Sequence, residues 1–357
     1  MTRWFFKKLL MYKRKIGLAV VLLIAAFGLY FTYTFYRVFF LPNTAFNNES
    51  SYIFISTGSE IDALLIELAP LIKSTDDFRL AAEKKGYASR IRAGKYALDK
   101  GMSNNDMINR LRGKSLPVKV TFNNQERLED LAGRLAQQLE ADSLALLTQM
   151  RDADFLAKNG FDQATALAIY IPNTYEFFWN VSPQDFQKRM LKQYEYFWTS
   201  KRRNAAQKQG LTPIEAVTLA AIVQKESLKN DERPLIAQVY LNRLKKKMRL
   251  QADPTVIYAL KKEQDDFSLV IRRVLRKDLK IKSPYNTYLT KGLPPGPIAM
   301  PDISAIDAVL FPAPHKYLYF VVDPNKPGYH DFSTSLREHN RKARKYYRWL
   351  NQQKLYR

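Results

Sequence analysis

Glu226 is the carboxylate of this chain best placed for proton chemistry. It ends the segment Thr212-Pro-Ile-Glu-Ala-Val-Thr-Leu-Ala-Ala-Ile-Val-Gln-Lys-Glu226. Thr212 and Glu215 have the spacing of a capping box, and Pro213 falls at the first helical position, so a helix is predicted to start here. Leu219, Ile222, Val223 and Glu226 are three, four and seven apart and share one face; Ile214, Val217, Ala221 and Leu228 share another. A carboxyl among apolar neighbours holds its proton more easily than in water, because desolvation disfavours the anion. A general acid for glycosidic cleavage needs that property. Glu215 is accounted for as a cap, and Gln224 cannot act as an acid. The competing reading pairs Glu226 with Lys229 or Arg233 near the helix end, since structural ion pairs also perturb carboxylates.

Polar side chains that suit a sugar follow at once. Asn242 and Arg243 close a helix that begins near Pro234. Gln251, Asp253 and Thr255 come next, with Asp253-Pro254 read as an N-cap followed by proline in the first turn. Tyr285, Asn286, Thr287 and Tyr288, then Leu293, Pro294 and Pro295 within Lys291–Ile298, are read as ordered loops stiffened by Pro and Gly. Amides and hydroxyls match the polar edges of a sugar, and aromatic faces match its flat apolar side. The competing reading is an ordinary turn-rich connection. Asp253 itself reads as a cap rather than a second acid. Asp231 and Glu232 read as N-terminal acids of the next helix. A glycoside hydrolase works with two carboxylates, and only one stands out here.

The elements that must position these residues follow a simple order. Arg3, Lys7, Lys8, Lys13, Arg14 and Lys15 form a basic tail, residues 1–15. An apolar run from Ile16 to Tyr36 follows, long enough to span a bilayer, and the anchor is set at 16–40. The positive-inside rule keeps the tail in the cytoplasm and the remainder outside. A cleaved signal peptide is the alternative, but the run is long and no small-x-small site follows it. Residues 41–51 read as a polar linker. Strand 52–56, helix 60–71, helix 76–85 capped by Ser74 or Thr75, and strand 92–98 make a module of 52–117. A helix at 102–112 with a Ser103/Asp106 capping box completes it. A strand at 118–122 and a helix at 127–138 open a connecting subdomain, 118–200, and a catalytic domain spans 201–350. The fold class is α+β.

The 357 residues carry a net charge of +23, so an anionic partner is expected. The basic residues are spread rather than gathered in one recognition helix, which argues against nucleic acid. There is no cysteine, so thiol catalysis, disulfides and thiolate metal sites are excluded. His315, His330 and His339 lack metal-ligand spacing, and no metal or cofactor is expected. Ser-x-x-Lys, Cys with His, and His-Glu-x-x-His are absent, which argues against a wall peptidase or transpeptidase.

Several blocks resemble one family in the same order over about half the chain. They are Ile222-Val-Gln-Lys-Glu226, Glu232-Arg-Pro-Leu-Ile-Ala237, Asn242-Arg-Leu244, Met248–Tyr258, Tyr285–Tyr288, Gly292–Ile298, Tyr317–Val321 and His339-Asn340. They resemble the YceG-like family of endolytic murein transglycosylases, membrane-anchored enzymes of bacterial cell walls. The resemblance implies a LysM-like module, which would bind N-acetylglucosamine-rich glycan, before an α+β catalytic domain. It places the catalytic acid on Glu226. It implies cleavage between N-acetylmuramic acid and N-acetylglucosamine in nascent peptidoglycan, 1,6-anhydro ends, and a limit on strand length. The implied partners are glycan strands, the cytoplasmic membrane and wall synthases such as penicillin-binding proteins. The rival is a non-enzymatic membrane-tethered scaffold that binds peptidoglycan. Two positions depart from the family pattern. Asn123-Asn-Gln125 stands where the family has Pro-Glu-Gly, and Asn173 replaces an acid in a Phe-Pro-Asp-Thr-Tyr segment, where it reads as a turn residue.

Overall fold

The computed structural model describes residues 2–352. The chain divides into two compact units: the chain up to Val118 with Glu176–Asn180, and Lys119–Tyr175 with the chain from Val181 onward.

The first unit opens with α1 (Thr2–Phe40). Its stretch from Trp4 to Phe40 is long and apolar enough to cross a membrane, and its side chains find no cover in the protein over the most apolar window. The helix changes character at its end, where Val38 and Phe39 are buried in the core of this unit. Strand β1 (Ser50–Ile55), α2 (Ile61–Leu68), α3 (Thr75–Lys84) and β2 (Gly94–Asp99) follow, then α4 (Asn104–Leu111). β1 and β2 pair antiparallel, from Ser50 opposite Asp99 to Ile55 opposite Gly94. Ile53 and Ile55 on the inner face of β1 meet Leu64 and Leu68 of α2, Phe78 of α3 and Met107 of α4. Burial of these large apolar side chains holds so small a unit together, at about 1.5–3 kcal/mol each. Ser74 is the cap of α3, accepting from the Asp77 amide, and the Ser103/Asp106 capping box is formed.

The segment read as a linker, 41–51, is part of this module. The buried Asn43 side chain donates to the Ser74 carbonyl at 2.9 Å and to Asn104 Oδ1 at 2.7 Å, and accepts from the Ser74 amide at 2.9 Å. Asn104 in turn donates to the Val38 carbonyl at 2.7 Å. A polar stretch thus became a satisfied buried network instead of a tether.

The second unit holds β3 (Pro117–Phe122), α5 (Leu128–Ala136), α6 (Ser143–Met150), α7 (Ala153–Lys158) and β4 (Asn173–Phe178), the division between the units falling within β3 and β4. β3 and β4 pair with each other. Then come α8 (Pro183–Phe197), α9 (Ser200–Lys208), α10 (Pro213–Glu226), α11 (Arg233–Lys245), α12 (Asp253–Glu263) and α13 (Ile303–Leu310). The hairpin β5 (Tyr319–Val322) and β6 (His330–Ser333) precedes α14 (Leu336–Gln352).

α10 is the centre of this unit and packs against α11, α12 and α13. Residues Ala216–Val223 are all buried, so the helix is apolar all round, as core helices are, rather than striped on one face. Leu228, read as continuing a stripe, lies beyond the helix and is 90 % exposed.

Candidate active site

Glu226 is the last residue of α10. The capping box starts the helix, with Thr212 accepting from the Glu215 amide and Glu215 from the Thr212 amide. Ser227 ends it by turning extended. The half-buried Glu226 side chain therefore emerges where the buried helix meets the surface. Its Oε1 accepts the Tyr240 hydroxyl at 2.7 Å. Tyr240 comes from α11, is 1 % exposed, and stands edge-on to Phe320 of β5 at 5.9 Å.

Burial pushes the Glu226 carboxyl up to about 7; the Tyr240 hydrogen bond opposes the rise, the nearby Asp253 anion adds to it, and His330 and Arg243 oppose it. Desolvation wins, and near neutral pH the group divides between acid and anion. Burial and the neighbouring Glu226 charge raise the Tyr240 hydroxyl far beyond the neutral range, so it stays a donor.

The ion-pair reading of Glu226 is not what the structure shows. The Arg233 guanidinium, buried, donates to the Ser227 carbonyl at 3.1 Å and Ser304 Oγ at 2.9 Å, and lies 3.8 Å from Asp302. The Lys229 ammonium sits 5.6 Å over the Tyr329 ring. Lys225 is taken by Glu126 at 2.6 Å. Among the described residues no cation forms a salt bridge with Glu226.

Of the neighbouring acids, Asp253 needs correction and Glu232 has a further role. Asp253 is not an N-cap: Ala252 holds that position, and Asp253 is the first residue of α12. Its exposed carboxylate instead accepts the Tyr288 hydroxyl at 2.6 Å. Glu232 sits at the N-cap position of α11, as expected of an acid at the helix start, though its side chain makes no cap hydrogen bond. Its buried carboxylate takes Ser227 Oγ at 2.9 Å, the His330 amide at 2.6 Å and His330 Nδ1 at 2.9 Å. Burial resists its ionisation, but the His330 and Ser227 hydrogen bonds outweigh that and hold its pKa below the usual carboxylate value. The Glu232–His330 pair locks the C-cap of α10 to β6. Asp231 accepts the Tyr329 hydroxyl at 2.9 Å.

The residues expected to line a groove separate into two groups. Thr255, Asn286 and Thr287 are fully buried, and cannot touch a ligand. Thr255 and Thr287 hydroxyls lie 2.8 Å apart, Thr287 accepts from the Ala252 amide at 3.0 Å, and Asn286 donates to the Leu279 and Ile281 carbonyls. They splice the loop onto the start of α12. Asn242 spends its amide on the His315 and Tyr317 carbonyls, at 2.9 and 3.0 Å. Arg243, 7 % exposed, donates to the Leu318 and Leu250 carbonyls at 2.6 Å each. Both tie α11 to neighbouring chain rather than offering donors to a sugar. Pro294 is buried. Gln251, Asp253, Tyr288, Leu293 and Pro295 retain exposed surface. Tyr285 is 3 % exposed and packs on Tyr258, ring centroids 4.8 Å apart.

The departing positions have structural roles. Asn124 donates to the Met300 carbonyl and to Asp302 at 2.8 and 2.9 Å, and the Gln125 carbonyl accepts from Met300. Glu126 then bridges Lys225 and Lys261 at 2.6 and 2.8 Å. Asn173 is the exposed first residue of β4, its side chain accepting from the Thr174 amide at 2.8 Å. Tyr240, His330 and Glu126 were missed. Only Tyr240 had a signal, since it lies inside the polar-rich helix directly after the acid.

The site is a desolvated carboxyl at the end of a buried helix, held by a tyrosine and in no salt bridge among the described residues, on a fold of helices with small two-stranded sheets. The chain belongs to the YceG-like family, whose model matches residues 53–345. It is 32 % identical to an endolytic murein transglycosylase of Bacillus subtilis (strain 168), over 82 % of this chain and 83 % of that protein. It is 29 % identical to an endolytic murein transglycosylase of Streptococcus pneumoniae serotype 2 (strain D39 / NCTC 7466), over 86 % of this chain and 60 % of that longer protein. The crystal structure of a YceG-like protein from Listeria monocytogenes superposes with a TM-score of 0.54 at 29 % identity, covering 83 % of this chain and 99 % of that one.

Proposed function

We propose that this chain is an endolytic murein transglycosylase with Glu226 as its catalytic acid. The observation that carries the reading is the Glu226 carboxyl, raised to about 7 by burial, bonded to Tyr240 and unpaired with any described cation. The protonated carboxyl gives its proton to the oxygen joining N-acetylmuramic acid to N-acetylglucosamine. The C1–O bond breaks, and positive charge develops on the muramic ring. The resulting carboxylate, stabilised by Tyr240, takes the proton of the C6 hydroxyl as that oxygen bonds to C1. A 1,6-anhydro end forms, the acid is restored, and no water is consumed. Of the residues expected to meet the glycan, Gln251, Asp253, Tyr288, Leu293 and Pro295 keep surface to offer it.

One observation favours a second reading. Asp253 is close enough to raise the Glu226 pKa, so a second carboxylate is at hand, and it could activate a water for hydrolysis. The name borne by the relatives favours transfer within the sugar over hydrolysis.

The wider setting follows from the first unit. The basic residues before the apolar part of α1 favour a cytoplasmic tail, with the remainder outside the cytoplasmic membrane. The strand–helix–helix–strand order supports a LysM-like, glycan-binding module. The exposed Tyr52 and Phe54 of β1 add flat faces, with Trp179 5.2 Å from Phe54. An anchored enzyme of this kind cuts nascent strands close to the wall synthases and limits their length. A scaffold without activity would have no use for a desolvated acid.

Glu226→Gln tests the assignment on purified glycan strands. We expect cleavage to fall by at least roughly 10²-fold, the scale of general acid catalysis. The variant should melt no lower than the parent at pH 8, since it no longer buries an anion there. Retained turnover would sink the assignment.

A further inference from the structure

The second unit contains a cavity of ≈ 490 Å³ that the glycan chemistry leaves unused. Its floor is aromatic. Tyr258 lies 5.5 Å from Phe267 and 4.8 Å from Tyr285, centroid to centroid. Cations stand over these rings. The Arg127 guanidinium is 4.3 Å above Phe267, and the Lys262 ammonium 4.8 Å above Tyr285. Asp265 supplies the opposite sign at its edge, while Glu129 there is paired with Arg151, which also lines the cavity. Arg127 is paired with Asp130 at 2.7 Å. Lys262 is exposed, and among the described residues it has no carboxylate partner.

A second cavity lies between this one and the chain neighbours of the acid site. Smaller, at ≈ 170 Å³, it shares Glu126 and Tyr258 with the first and is also lined by Lys225 and Pro254. Those two are the chain neighbours of Glu226 and Asp253. The far wall is built with equal care. A Cβ on Gly296 would lie 1.9 Å from the Ala164 carbonyl oxygen, so only glycine lets this loop seat there. Ala164 and Pro297 then both face the cavity.

We propose that this cavity is a subsite for the peptide carried by the glycan substrate, an inference that rests on the murein reading above. The sugar backbone of murein offers no charge to a cavity lined with both signs, whereas its peptides carry carboxylates and an amine. Lys262 and Arg127 suit the carboxylates as charge-assisted donors. Asp265 suits the amine. The aromatic floor packs against the aliphatic parts. Cleavage is then selective for strands that still bear peptides.

The test uses the full-length chain in detergent micelles and the free pentapeptide L-Ala-D-γ-Glu-L-Lys-D-Ala-D-Ala as probe. Calorimetric titration should show saturable binding, weakened about tenfold or more by Lys262→Glu, the scale of a lost charged hydrogen bond. On glycan strands, kcat/KM should be higher with peptides than after their enzymatic removal. Lys262→Glu should narrow that ratio while leaving the stripped strands cleaved as before. Absence of saturable peptide binding, binding unchanged in the variant, or an equal loss on both strands would overturn the subsite. If neither strand is cleaved by the parent protein, the murein reading fails, and the peptide titration still decides whether the cavity binds peptide.

Discussion

The Tyr240 hydroxyl donates to Oε1 of Glu226 at 2.7 Å, joining the end of α10 to the middle of α11 across a half-buried contact. The bond stabilises the anion more than the acid, so it restrains a pKa that burial drives upward to about 7. Catalysis starts from the acid, which is lost as pH rises through that value. Activity should therefore fall on the alkaline side with a limb near pH 7. In Tyr240→Phe the limb should move to higher pH, since a force lowering the pKa is gone. The rate at the optimum should drop about tenfold or more, the scale of a hydrogen bond to a charged group. A limb that stays in place would show that Tyr240 does not touch the working proton.

Asp253 acts in the opposite direction. Its negative charge raises the Glu226 pKa, so Asp253→Asn should shift the alkaline limb to lower pH. Asn keeps an oxygen for the Tyr288 hydroxyl, now 2.6 Å from the carboxylate, and the fold should hold. Below the shifted limb the loss of rate should be modest, under about tenfold. A loss of 10²-fold or more at every pH would give Asp253 the role of a base, at the scale of general base catalysis.

Asn242 separates positioning from binding. Its amide is spent on the His315 and Tyr317 carbonyls. Asn242→Ala strands two carbonyls, and should cost about 1–3 kcal/mol, read as a lower melting temperature. KM for glycan should be unchanged. A raised KM at unchanged stability would mean that the side chain leaves these carbonyls to hold sugar.

The parts of this design written in local chemistry were legible in the sequence. The capping boxes at Thr212/Glu215 and Ser103/Asp106 involve neighbours three residues apart, and both formed as read. The apolar run of α1 needs only length and composition. The strand order of the first unit follows from period and turn residues. What escaped depends on partners far away in the chain. Glu232 and His330 are 98 residues apart, so nothing near Glu232 marked it as a lock as well as a helix-start acid. Thr255 and Thr287 carry groups a sugar would accept, yet they turn inward and satisfy each other. Residue type tells which bonds a side chain can make, and burial alone tells with whom. Asn43 gives the same lesson, for a polar run looked like a linker until Ser74 and Asn104 closed around it.

The product of cleavage tests the central claim most directly. Purified glycan strands digested with the full-length protein should yield fragments one water lighter than hydrolysis gives, ending in 1,6-anhydro-N-acetylmuramic acid. Long fragments should appear first, as expected for cuts inside strands. Mass spectrometry of the earliest time points reads both properties at once. Reducing ends as the main product would contradict the internal C6 nucleophile and turn Asp253 into the partner of a hydrolytic Glu226; disaccharides alone from the start would contradict cutting within the strand.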